Sequence, residues 1–264
     1  MYNSSRREGY PQIRFVVVAF GRSGSTLLVD LLRCHPETVC YHEPFHMKNP
    51  HRPLKNEQDT IELAKEIYEI GIEGGPRKQG KPSLHNGRSN AVGFKMTIAQ
   101  LLTDIPGLVT WFRREPNLKV VLLDRRNTLR RYLSYELAKK RGLWHSPKPQ
   151  KSGNLKYTVD PVEFRKFIDL KRGQKNDFMK VLSKTNHSVL EIYYEGLVDE
   201  RDKTLDRITD FLGLQSHGNY TSATVKLVEG ELDDIVSNYN EIVRLFPNEI
   251  EDAEALHETN TRRR

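Results

Sequence analysis

Phe15-Val16-Val17-Val18-Ala19-Phe20-Gly21-Arg22-Ser23-Gly24-Ser25-Thr26-Leu27-Leu28 is the stretch that decides the fold. Phe15 to Phe20 is the longest unbroken apolar run of the chain. Its β-branched centre reads as a strand buried on both faces. Gly21 and Gly24 punctuate a turn, and Thr26 to Leu32 then reads as a helix that stops before His35-Pro36. A buried strand running through a Gly/Ser turn into a helix presents backbone N–H groups and the positive end of the helix dipole. The glycines let the backbone approach an anion closely. Ser23, Ser25 and Thr26 add hydroxyl donors, and Arg22 adds a forked cation. A tight turn that binds nothing would not need this combination, so the segment points to an oxyanion ligand. It is not a Walker A loop, G-x-x-x-x-G-K-[ST]. Aligned on Gly24, Ala19 stands where that pattern needs glycine and Ser25 where it needs lysine; only Thr26 fits.

Outward from this segment, strand-like runs alternate with helical ones. Ala91–Lys95, Leu118–Leu123 and Ser188–Tyr193 read as strands. Helices are predicted at Thr60–Ile70, Thr128–Arg141, Val162–Leu182 (opened by Pro161, with Gly173 as a candidate break), Lys203–Leu212 (closed by Gly213) and Leu232–Phe246. Residues 74–90 and 142–160, rich in Gly, Pro and basic residues, read as loops. This alternation predicts an α/β fold of the P-loop-like, three-layer type, a mostly parallel sheet flanked by helices. One domain is expected over 1–264, with an N-terminal arm over about 1–14 and a frayed tail over about 250–264. Ligands of such sheets sit at the carboxyl ends of the strands, here just after Phe20, Lys95 and Leu123.

The 264 residues carry 37% hydrophobic side chains, enough for a core and too many for a disordered chain. Two cysteines, Cys34 and Cys40, exclude a disulfide scaffold. No apolar run is long enough for a membrane span or a signal-peptide core, so a cytoplasmic protein is expected. The net charge of +7 and pI near 9.3 point to an anionic partner. Nucleic acid, acidic polysaccharide, membrane surface and polyphosphorylated nucleotide all satisfy that charge. No internal repeat or heptad array is present.

A second strand–turn–helix, Val120-Val121-Leu122-Leu123-Asp124-Arg125-Arg126-Asn127, places two arginines at a strand end. Arg126 and Ser134, eight residues on, are placed to turn toward one anion. Arg131 is read as a solvated residue of a basic helix face. Asp124 imitates a Walker B aspartate, which keeps a magnesium site open on this segment; pairing with Arg125 or Arg126 is its simpler role. Cys34, His35, Cys40 and His42 lack zinc spacing. Trp111, Phe112 and Tyr157 read as core or loop anchors.

Together these segments resemble the PAPS-dependent sulfotransferases, PAPS being 3′-phosphoadenosine-5′-phosphosulfate. In that family a loop of the type [RK]-S-G-[ST]-[ST] binds the 5′-phosphosulfate; here it is Arg22-Ser23-Gly24-Ser25-Thr26. An Arg-Asn pair and a serine eight positions beyond the arginine bind the 3′-phosphate; here they are Arg126-Asn127 and Ser134. A strand ending in Tyr-Glu-x-Leu before a helix ending in Phe-Leu-Gly matches Tyr194-Glu195-Gly196-Leu197 and Phe211-Leu212-Gly213. The resemblance covers roughly residues 14–214. Its details, including His42-Glu43-Pro44-Phe45, look most like the carbohydrate-type and bacterial members. The cytosolic phenol and steroid enzymes carry Lys-Thr-His on a later strand, with histidine as base. This chain has Phe94-Lys95-Met96-Thr97 there, without that histidine.

The resemblance implies transfer of the sulfuryl group from PAPS, with 3′,5′-ADP as product and no required metal, to a hydroxyl acceptor, a carbohydrate or glycolipid. No nucleic acid is implied as partner. Glu43 is then the expected base, with His42 and His46 as rivals, and Arg22 and Lys95 are the catalytic cations. Arg22, Ser23, Gly24, Ser25, Thr26, Arg126, Ser134 and Tyr194 are expected to bind the donor. His42, His46 and Trp144 are expected near the acceptor. Two rival functions keep the same fold or charge: a P-loop-type phosphotransferase, weakened by the missing Walker lysine, and a non-catalytic nucleotide or polyanion binder.

Overall fold

In the computed structural model, residues 13–46, 54–69, 90–142, 156–218, 220–222 and 230–250 are described. Five strands, β1 (Ile13–Ala19), β2 (Thr38–Tyr41), β3 (Ala91–Thr97), β4 (Lys119–Asp124) and β5 (Ser188–Tyr193), form one sheet in the order β2-β3-β1-β4-β5. Every pairing is parallel. The helices are α1 (Ser25–Leu32), α2 (Glu57–Glu69), α3 (Leu108–Arg114), α4 (Thr128–Arg141), α5 (Pro161–Leu182), α6 (Tyr194–Asp199), α7 (Arg201–Leu212), α8 (Leu232–Ile235) and α9 (Tyr239–Leu245).

Strand alternation sorts the core into two layers. Phe15, Val17, Ala19, Val121 and Leu123 face α1 and α7, whereas Val16, Val18, Phe94, Val120 and Leu122 face α2, α3 and the end of α5. Both faces are covered, as a parallel sheet requires, and the run Phe15–Ala19 is fully buried. A third cluster joins α4 (Leu129, Leu133) to the first half of α5 (Phe164, Ile168) and to Val236, Ile242 and Phe246. The connection from β1 runs to the β2 edge, whereas that from β3 runs to β4, on the other side. The crevice between these diverging connections opens at the carboxyl ends of neighbouring β1 and β3.

Several elements depart from the sequence expectations. Ile13 and Arg14 belong to β1, not to an arm. Ile250 is buried, and its carbonyl accepts Asn127 Nδ2 at 3.2 Å, so the ordered chain reaches past the expected start of the tail. The remainder of both termini lies outside the described residues. α5 passes Gly173 unbroken. Glycine costs about 1 kcal/mol inside a helix, but α5 is anchored on both sides of it, by Phe164 and Phe167 before and by Phe178 and Val181 after. The last predicted helix instead breaks into α8 and α9. At the break, the Tyr157 N–H donates to Ile235 O at 2.7 Å and Ser237 N–H donates to Tyr157 O at 3.1 Å. This backbone pairing replaces helical bonds. The helices α3 and α6 were not expected at all.

Candidate active site

The loop after β1 is built by unusual backbone angles. Arg22 has φ 68° and Gly24 φ 83°. At Gly24 glycine is obligatory twice over, because a Cβ there would stand 2.3 Å from Tyr194 Cδ2. Ser23 is fully buried and spends its hydroxyl locally, donating to Phe20 O at 2.7 Å. It shapes the turn, while the first N–H groups of α1 are left without an acidic cap in the opening turn.

Cations converge on this loop from three elements. Arg22 Nε donates to Ser134 Oγ of α4 at 3.0 Å. Burial, and the neighbouring Arg125, hold the Arg22 guanidinium below the usual arginine range. The Arg125 guanidinium lies 4.4 Å from the ring centre of Tyr194, the ring that packs on Gly24, and its buried Nε has no partner among the described residues. Lys95 of β3 is 2% exposed; its Nζ stands 3.3 Å from Thr26 Oγ1.

Lys95 also meets the expected base. Its Nζ is 2.7 Å from Glu43 Oε1, and Gln100 Nε2 donates to Glu43 Oε2 at 3.2 Å. The parallel register pairs Tyr41 with Phe94, and Lys95 N–H donates to His42 O at 3.0 Å, which sets Glu43 beside the end of β3. Gln100 is 6% exposed and opens a π-helical turn, Gln100–Asp104; its Oε1 accepts Thr97 N–H at 2.8 Å. Both ends of its amide are thus engaged. Sequence reading missed Gln100 because nothing in its local pattern marks a residue whose partner lies 57 positions away.

The remaining expectations divide. His42 Nε2 is 3.3 Å from Asp30 Oδ1 of α1, while the exposed His46 is tied to Glu43 through its backbone N–H. Trp144 lies outside the described residues, as does most of the two predicted loops. The exposed Arg126 guanidinium lies 4.3 Å from the Tyr193 ring centre, and Ser134 Oγ accepts from Arg22. Arg125 is the arginine that borders the loop. Asp124 is neither a free Walker B carboxylate nor the partner of either neighbouring guanidinium. It takes Arg131 Nη1 at 2.8 Å and Lys175 Nζ at 3.0 Å, with the Arg125 backbone N–H. Arg131, read from sequence as solvated, is 5% exposed, because α4 turns it inward over Phe20. Glu195 accepts the backbone N–H groups of Arg126 and Asn127 at 3.2 and 3.3 Å and so fixes the start of α4. Among the described residues no group of three His, Cys, Asp or Glu is arranged to hold a metal.

The family model for the Stf0 sulphotransferases matches residues 14–241, nearly the whole of this architecture from β1 to α9. The chain belongs to that family. The chain is also similar to solved sulfotransferases at low identity. One from Alicyclobacillus acidocaldarius is 16% identical, with a TM-score of 0.47 over 92% of this chain and 98% of its own. The domain of the Synechococcus PCC 7002 olefin synthase is 15% identical, with a TM-score of 0.41 over 91% and 86%. Mouse SULT7A1, complexed with PAP, is 14% identical, with a TM-score of 0.40 over 89% and 82%. No curated protein matches the chain. Among the described residues of this Stf0 member no helix is long and apolar enough to cross a membrane.

Proposed function

We propose that this sulfotransferase moves the sulfuryl group of PAPS to a hydroxyl of a carbohydrate or glycolipid, with Glu43 as base. The observation that carries the reading is the chain of contacts Glu43–Lys95–Thr26, which sets a carboxylate beside the anion-binding loop through one buried ammonium. The donor set suits a phosphosulfate nucleotide: Arg22, Lys95, Ser25, Thr26 and the N–H groups that open α1 toward the 5′ end, with Arg125, Ser134 and Tyr194 toward the ribose phosphate and base. Arg126 keeps the 3′-phosphate role that the resemblance assigns to it, and Arg125 adds a second cation beside it. When bound, PAPS supplies an activated sulfuryl group whose transfer resembles phosphoryl transfer, in line and through a loose transition state.

The protein's own groups do the rest. Arg22 and Lys95 bring positive charge to the loop in a half-buried setting, where it acts more strongly than in water. Glu43 keeps one oxygen on Lys95 and the other on Gln100, which fixes the carboxylate that would accept a hydroxyl proton. The cations serve the charge-neutralising role that a metal plays in phosphotransferases. A cytoplasmic location fits this reading.

The experiment is calorimetric titration of 3′,5′-ADP in EDTA beside magnesium-ATP, with wild type and Glu43→Gln. Metal-independent binding of 3′,5′-ADP by both proteins is expected, with transfer to a sugar acceptor lost in Glu43→Gln by about 10²- to 10⁴-fold. Preference for magnesium-ATP would overturn the donor; full activity of Glu43→Gln would overturn the base.

A further inference from the structure

Thr26 and Asp30 stand one turn apart on α1 and so share a face of that helix. Both meet the region where β2 ends. Thr26 Oγ1 lies 3.3 Å from Lys95 Nζ, which holds Glu43. Asp30 Oδ1 lies 3.3 Å from His42 Nε2, and both of these side chains are partly buried. The helix that opens at the anion loop therefore contacts the cation paired with Glu43 and also the residue just before Glu43.

Glu43 itself lies beyond the strand. β2 ends at Tyr41, and Lys95 N–H donates to His42 O just past that end, at 3.0 Å. Two side chains then anchor the segment on opposite faces of the sheet. Phe45 is buried in the layer of Phe94 and Trp111, its ring centre 5.1 and 6.4 Å from theirs. His42 keeps the phase of Cys40, which packs in the α1 layer, and meets Asp30 there. Glu43 is held between these two anchors. Asp30 is braced in turn. Ser222 Oγ donates to its Oδ2 at 3.4 Å, and Val29 and Leu31 on either side of it are fully buried. Displacing a reacting group by about 1 Å can cost roughly 10²-fold in rate, so a clamp at this point bears on turnover rather than on donor affinity.

We propose that His42 is a positioning residue for sulfuryl transfer. Clamped to Asp30, it fixes the turn that carries Glu43 relative to α1 and the anion loop, and it acts on the reaction only through Glu43. It is neither a second base nor an acceptor contact. The inference rests on the proposed role of Glu43 as base.

The test compares His42→Phe, His42→Gln and Asp30→Ala in the whole protein. Steady-state rates are measured with labelled PAPS and whichever of a set of methyl glycosides takes most label, and 3′,5′-ADP affinity by calorimetry. Phenylalanine keeps a ring and loses the donor. Glutamine carries an amide nitrogen at the same bonded reach as Nε2 and cannot serve as a base. His42→Phe is expected to lower kcat by about 10- to 100-fold, with little change in the acceptor KM or in 3′,5′-ADP affinity. His42→Gln should recover most of that loss. Asp30→Ala should lower kcat to a similar degree, and His42→Phe/Asp30→Ala no further than either change alone, because the two side chains form one contact. In a Glu43→Gln background His42→Phe should cost nothing more. His42→Gln as slow as His42→Phe would overturn the proposal and restore the histidine as a base. A raised acceptor KM at constant kcat would overturn it in favour of an acceptor contact. Loss of 3′,5′-ADP affinity in parallel with kcat would reduce the pair to a tie that holds the fold, and overturn it too. If His42→Phe does not fold, Asp30→Ala decides, since wild-type kcat in that variant is incompatible with the clamp. Full turnover of Glu43→Gln would mark failure of the base reading, and the proposal falls with it. A Glu43→Gln that is inactive beside a His42→Phe of wild-type kcat would mark failure of the proposal alone.

Discussion

Lys95 Nζ stands 2.7 Å from Glu43 Oε1 and 3.3 Å from Thr26 Oγ1, so one buried ammonium links the expected base to the first turn of α1. The side chain of Lys95 is 2% exposed and that of Glu43 19%. Removing the lysine takes the buried ammonium away from a largely buried carboxylate, whereas removing both charges leaves no such mismatch. Lys95→Met should therefore destabilise the protein by about 3 kcal/mol, and Lys95→Met/Glu43→Gln by clearly less than the sum of the single changes. Urea unfolding midpoints check this double-mutant cycle.

Gln100 holds the second oxygen of that carboxylate while anchored to Thr97. Gln100→Leu removes one donor and should lower turnover by about fivefold, the effect of roughly 1 kcal/mol of lost orientation. Gln100→Glu faces Glu43 with a like charge and should cost more, in activity and in stability. Steady-state rates with PAPS and a sugar acceptor separate the two. Equal losses would show that Gln100 only fills space.

Arg125 and Arg126 should differ in their effect on the nucleotide. Arg125 borders Gly24 through Tyr194, whereas the exposed Arg126 lies over Tyr193. Arg125→Ala is expected to weaken 3′,5′-ADP by about 10- to 100-fold, as loss of a charged hydrogen bond of roughly 1.5–3 kcal/mol implies. Arg126→Ala should weaken it too, but less. The reverse order would make Arg126 the stronger of the two contacts.

Lys171 ties stability to pH. Its folded pKa of about 8 lies below the ordinary 10.5, chiefly through burial and then through Arg131. Between those values the folded chain binds fewer protons than the unfolded one, so stability rises with pH across that window. Below it the buried charge is a penalty. The cavity that Lys171 lines also carries Arg131 from α4, Arg172 and Lys175 from α5, Asp124, Arg125 and Arg126 from the end of β4, Tyr193 from β5, and Glu249. Tyr193 itself titrates late, pushed up by burial and then by Glu191. Lys171→Met should thus be more stable than wild type at neutral pH in sulfate-free buffer, by about 1 kcal/mol, and lose that advantage as pH passes 10.5. Urea midpoints at both pH values decide.

Much of the frame was legible because its causes are local. The run Phe15–Phe20 has no polar residue to expose, Thr128–Arg141 begins at the Asn127 cap and ends at Gly142, and Gly213 caps α7 with φ 76°. Arg131 and the break at Val236 were misread because their environments are supplied from afar, by Asp124 and Phe20 in one case and by the backbone of Tyr157 in the other. Glu43 and Lys95 were visible as separate candidates but not as partners, and Gln100 was not visible as a candidate at all.

The sequence by itself determined the alternation of buried strands and helices, the glycine-shaped anion loop and the residue types that suit an oxyanion, since these follow from burial, backbone freedom and charge within short segments. Only the tertiary structure decided which arginine borders the loop, what Asp124 neutralises and where Glu43 points. Those depend on parallel register and on which face of the sheet each side chain leaves, and a shift of one residue reverses both.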